Sequence, residues 1–120
     1  MRRLFALSVV VLTAALTAAL IARASASTPS TQFRTPDAGA ACKLEGAALV
    51  CTSLGSAGSV ALAPHGARIV RRLPWWDAAT PVLHTFHRGR ISCRLAGASI
   101  LCRSAGAAVR VTRSGFAVAG

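Results

Sequence analysis

Beyond residue 32, apolar positions recur at every second residue in short runs separated by glycine, the period of strands with one buried face. The plainest case is written twice, as CKLEGAALVC at 42–51 and CRLAGASILC at 93–102. A Gly-Ala pair stands at the centre of each, Gly46-Ala47 and Gly97-Ala98. Glycine at the first central position suits a type II′ hairpin turn, because that residue must hold a positive φ. Counting outward, Leu44 faces Leu49 and Cys42 faces Cys51; in the second copy Leu95 faces Ile100 and Cys93 faces Cys102. Cysteines and large aliphatic residues thus share one face of each hairpin, and Lys43, Glu45 and Arg94 take the other.

The repeat continues past both hairpins. TSLGSAGSVALAPHG follows Cys51 and RSAGAAVRVTRSG follows Cys102. Each passes through small residues into an alternating strand, Val60-Ala61-Leu62 or Val109-Arg110-Val111, and ends at Gly66 or Gly115. The units 42–66 and 93–115 therefore read as a hairpin plus a return strand. Between them, Arg68-Ile69-Val70 and Val82-Leu83 read as strands, and Leu73-Pro74-Trp75-Trp76-Asp77 as a turn or one helical turn opened by Pro74. One tryptophan is expected in the core and the other exposed, since adjacent strand residues face opposite ways. Many short strands with Gly-rich turns predict an all-β domain, a small sandwich or open barrel built from two similar units.

The first 26 residues break the pattern. Arg2 and Arg3 precede an apolar run from Leu4 to Ile21, and Ala22-Arg23-Ala24-Ser25-Ala26 offers two overlapping A-x-A cleavage sites. That order is the signature of a secretory signal peptide, removed on export. An uncleaved N-terminal membrane anchor is the rival reading, since 18 apolar residues approach a spanning length. Cleavage leaves Ser27 to Gly120, one domain of 94 residues whose polar stretch 27–32 is expected to be a flexible leader.

Export changes what the cysteines mean. Four cysteines in a small exported chain are most simply two disulfides. Four allow three connectivities, and the hairpin register selects Cys42 with Cys51 and Cys93 with Cys102. Both pairs fall at the closer, non-hydrogen-bonded kind of site, where Cα atoms lie about 4.5 Å apart, within disulfide reach. Zinc fits poorly, because structural sites place paired cysteines two to four residues apart, whereas eight residues intervene here.

The order Phe33, Thr35, Pro36, Gly39, Cys42, Cys51, then Val82, Leu83, Gly89, Cys93, Cys102 and Gly106 resembles a family of small secreted domains of unknown function common in actinobacteria. Its members open with F-x-[ST]-P-x-G before the first cysteine and close with V-L, G-x-x-x-C and C-x-x-x-G. The opening here is one residue longer, and Gly106-Ala107-Ala108-Val109 stands where the family carries a polar patch. The resemblance implies location and fold and no activity. Near-exclusive use of Arg over Lys, with abundant Ala and Gly, fits a GC-rich bacterial genome.

Charge narrows the function classes. Without Arg2, Arg3 and Arg23, eleven basic residues oppose Asp37, Glu45 and Asp77, a net +8. Nothing pairs the three carboxylates, and turn or capping roles account for each. His84 and His87 point to opposite faces of a strand, and His65 reads as a loop residue, so no metal site is expected. No nucleophile motif such as G-x-S-x-G is present. The chain is therefore read as a non-enzyme without cofactors, and nucleic acid is a poor partner for an exported protein.

Arg88, Arg90, Ser92 and Arg94 alternate with Gly89, Ile91, Cys93 and Leu95, and the register sets Arg103 opposite Ser92. Four arginines, Arg88, Arg90, Arg94 and Arg103, are expected to project from one side of a ribbon. A solvated face, or protection of a sheet edge, accounts for such a pattern. The functional reading is an anion-binding site for a cell-envelope polymer, lipid headgroups or an acidic protein, to which the planar guanidinium is suited. The expected function is a non-catalytic, envelope-associated or binding module. The alternatives are a membrane-active cationic protein and an enzyme or inhibitor using exposed loops.

Overall fold

The computed structural model describes residues 30–55 and 58–119; the expected signal peptide at 1–26 lies outside the described residues. The first half forms β1 (Gln32–Arg34), β2 (Ala40–Glu45), β3 (Ala48–Ser53), β4 (Ser59–Ala63) and β5 (Gly66–Val70). The second forms β6 (Thr85–Arg88), β7 (Ile91–Ala96), β8 (Ser99–Arg103), β9 (Ala108–Thr112) and β10 (Gly115–Ala119). Each half is an antiparallel five-stranded sheet in chain order, and the two sheets stack as a sandwich. Residues 71–84 join them without a strand.

The hairpin reading holds in register and in turn chemistry. Cys42 pairs with Cys51 and Leu44 with Leu49; Cys93 pairs with Cys102 and Leu95 with Ile100. Gly46 and Gly97 sit at φ 64° and 62°, and Ala47 and Ala98 stay at negative φ, as a II′ turn requires. Both disulfides form as the register selects, with Cα atoms 4.0 Å apart in each. A third Gly-X turn, Gly89-Arg90 with Gly89 at φ 58°, joins β6 to β7.

The inner faces of the two sheets make one core. Leu49, Leu62, Ile100 and Val111 are fully buried, and Phe33 meets its counterpart Phe86 at 5.0 Å between ring centroids. Sulfurs of Cys42, Cys51 and Cys102 lie within 4.8 Å of one another, so the bridges pack against each other across the core. Being oxidised, they are not thiolate ligands for a metal. Loops clamp the ends: Ser53 Oγ donates to Thr112 O and Arg113 O at 2.8 and 2.9 Å, and Gly55 N donates to Arg113 O at 2.7 Å. A methyl group on Gly39 would run into Arg113, which is why glycine stands there.

The repeats are longer than the sequence pattern predicts. Each unit has five strands, not three, because β1 and β6 precede the hairpins and β5 and β10 follow the return strands. Gln32, expected in the flexible leader, begins β1, and Thr31 O accepts from Leu44 N at 2.9 Å. Val82-Leu83 is not a strand, and no helical turn starts at Pro74. The chain turns later, where Thr80 N donates to Asp77 O at 3.1 Å.

Asp37 organises the β1–β2 loop. Its carboxylate accepts from Thr35 Oγ1 at 2.6 Å and Gly39 N at 2.9 Å, and Arg113 Nε lies 3.4 Å away. The Thr35 hydroxyl, then the Gly39 amide and Arg113, hold this carboxyl below the ordinary carboxylate range. A depressed folded-state pKa contributes stability above the unfolded value, lost as pH falls through the folded one. Asp37→Asn is therefore expected to cost up to about 1 kcal/mol at neutral pH, an exposed group being well screened. That difference should shrink as pH falls from about 4, the unfolded value, through the lowered folded-state value. Urea denaturation of both proteins across this range is the check, and a constant difference would assign the effect to hydrogen-bond geometry and not to ionisation.

Candidate anion-binding face

Alternation along β7, β8 and β9 sends Cys93, Ile100, Cys102 and Val111 inward and leaves every second side chain on the outer face of the second sheet. Two rows cross that face. Thr85, Arg94, Leu101, Arg110 and Ala117 are successive cross-strand partners, and so are His87, Ser92, Arg103, Ala108 and Ala119. Arg94 and Arg110 flank Leu101, and Arg103 stands on the same strand as Leu101, two residues on.

These rows line a concavity of about 560 Å³ whose walls come from β6 to β10 alone. Among the described residues no carboxylate lines it, and Arg94, Arg103 and Arg110 have no ion-pair partner. Arg103 lies diagonally from both Arg94 and Arg110, a spacing of about 7–8 Å, so three long guanidinium side chains add positive potential over one apolar floor. Such an arrangement can hold carboxylates or phosphates bidentately and stack on flat rings.

The structure places the four arginines read from the sequence in two locations. Arg94 and Arg103 lie on this outer face. Arg88 precedes the Gly89-Arg90 turn and Arg90 lies in it; both line a second hollow, of about 720 Å³, with Leu44, Gly46 and Pro64 at the end of the sandwich. The alternation breaks there because a two-residue turn reverses the chain, so Arg88 pairs with Ile91 on the inner-face register. Arg110 completes the outer group. The alternation Val109-Arg110-Val111 carried that signal, but the strand neighbour facing Arg110 is a long-range matter.

Every carboxylate has structural work. Besides Asp37, Glu45 accepts from Arg72 Nη2 at 2.9 Å and Nε at 3.1 Å, which lowers its pKa. Asp77 Oδ1 accepts from Ala79 N at 2.9 Å in the 77–80 turn. Both tryptophans are half-buried, edge to face at 5.7 Å, and neither enters the core. They lie instead on the outer face of the first sheet, where Lys43 Nζ stands 5.0 Å from the Trp75 ring and Trp76 Nε1 donates to Ala38 O at 2.8 Å.

No protein family, curated protein or solved structure matches this chain.

Proposed function

We propose that the protein is an exported, non-catalytic binding module that holds an anionic partner of the cell envelope on the outer face of its second sheet. The observation that carries this reading is the grouping of Arg94, Arg103 and Arg110 around one concavity that has no carboxylate among the described residues. The N-terminal secretion pattern, the two disulfides and the resemblance to secreted actinobacterial domains support export. The structural duties of Asp37, Glu45 and Asp77 support a non-catalytic role.

Co-sedimentation of the exported chain with isolated bacterial envelopes tests this. Binding is expected to fall steeply between low and about 0.5 M salt, where screening shortens the reach of charge. It should fall about tenfold or more in Arg94→Ser/Arg103→Ser/Arg110→Ser, since each charge-assisted contact is worth well over 1 kcal/mol. Arg88→Ser/Arg90→Ser should retain most of it. Retention unchanged by salt and by the triple substitution would overturn the reading.

A further inference from the structure

The two outer faces are equivalent positions of one repeated fold, and among the described residues only the first is covered. In register, Lys43, Val50 and Ala61 of the first sheet correspond to Arg94, Leu101 and Arg110 of the second. Over the first face runs the extended segment 71–84. Arg72 O lies 3.5 Å from Ser59 Oγ, Arg72 pairs with Glu45, Trp75 caps Lys43, and Arg34 Nε donates to Thr80 O at 2.8 Å. Beneath it Val50, Thr52, Ser59 and Ala61 are buried.

The second face lacks such a cover among the described residues, and its chemistry differs. Where the first face offers Ala61 and Thr52, the second offers Arg110 and Arg103. Lys43, which lies against an aromatic ring, is replaced by Arg94, a cation that stacks better on such rings.

The edge of the sheet repeats as well. Arg34 N, on β1, donates to Pro81 O of the covering segment at 2.9 Å. His87 holds that position on β6, and antiparallel alternation directs its N–H to the same open side. A backbone carbonyl of a bound extended polypeptide can accept there, as Pro81 O does on the first sheet, while its side chains reach the arginines.

We infer that the outer face of the second sheet binds an extended, acidic polypeptide segment of another protein that carries an aromatic side chain, laid across β6 to β9 as residues 71–84 lie across the first sheet. Its carboxylates pair with Arg103 and Arg110, its ring stacks on Arg94 over Leu101, and its backbone accepts from His87. A second copy of this chain is disfavoured by its own positive charge. The inference rests on the proposed binding role and names its partner class.

The probe is a synthetic peptide of residues 71–84 carrying Arg71→Glu and Arg72→Glu, titrated calorimetrically into the disulfide-bonded protein. Binding to the second face is expected, since Glu45 repels the added acids from the first. Arg94→Ser/Arg103→Ser/Arg110→Ser in the protein should weaken binding about tenfold or more. Trp75→Ser/Trp76→Ser in the peptide should weaken it about tenfold by removing the stacked ring. The peptide change leaves the protein untouched, so misfolding cannot produce that result. No binding, or equal binding of an aromatic-free polyglutamate, overturns the inference. So does arginine-dependent binding of phosphatidylglycerol vesicles with no peptide binding, which assigns the face to lipid. If the peptide fails while arginine-dependent envelope binding persists, the polypeptide inference alone falls; loss of both removes the binding role itself.

Discussion

Replacing Cys93 and Cys102 together by alanine is expected to lower the unfolding free energy by roughly 2.7 kcal/mol, the chain entropy released when a ten-residue loop opens. The first pair, Cys42 and Cys51, closes a loop of the same length and should cost about the same. Neither change stops at chain entropy. All four residues are buried, and sulfurs of the two bridges touch across the core, so alanine leaves a void where the sheets meet. The fourfold variant should therefore depart from the sum of the two pairs, because neighbouring sites share one cavity. A loss above about 5 kcal/mol takes most of the stability of a domain this size. Guanidinium denaturation of the two double variants and the fourfold variant measures all three. A change below about 0.5 kcal/mol in either double variant would mean that the bridge is incidental to the folded state.

Removing the cover of the first sheet should be nearly as costly. Trp76→Ala deletes a ring packed edge to face on Trp75 and leaves Ala38 O without its indole donor. Full truncation of a buried tryptophan costs about 3–5 kcal/mol, and half-burial brings the expectation to about 2–3 kcal/mol. Trp76→Phe keeps the ring and loses the hydrogen bond, so about 1 kcal/mol is expected. The two variants separate packing from hydrogen bonding by their difference. If Trp76→Ala unfolds at the wild-type denaturant concentration, the 71–84 segment is a loose strap and the first face is exposed in solution, which would also weaken its use as a guide to the second face.

Much of the fold is legible in local spacing. A glycine that must take a positive φ, two strands whose apolar residues alternate, and cysteines left opposite each other by that register are all short-range facts, and they appear where the pattern places them. β10 was legible in principle, since Phe116 and Val118 alternate after Gly115, yet five residues at a chain end carry little pattern. β1 is three residues long with one apolar side chain, Phe33, and becomes a strand only because β2 lies beside it. Val82 and Leu83 have strand propensity and form none, because tertiary packing overrides a weak local preference.

The candidate face was legible only in part. Arg94 and Arg103 were placed by hairpin register, which reaches across one turn. Alternation carried through Gly89-Arg90 misplaces Arg88 and Arg90, although that pair has the same Gly-X form as Gly46-Ala47 and Gly97-Ala98. Arg110 joined the group only when β9 was laid against β8.

By its sequence alone this protein determined two disulfide-locked hairpins, their turns and an all-β class, because backbone sterics and the period of two act between residues close in the chain. Only the tertiary structure decided that segment 71–84 covers one outer face and that, among the described residues, nothing covers its counterpart with its three arginines. That choice depends on contacts between residues 27 to 46 positions apart, such as Glu45 with Arg72 and Arg34 with Thr80, which no local periodicity encodes.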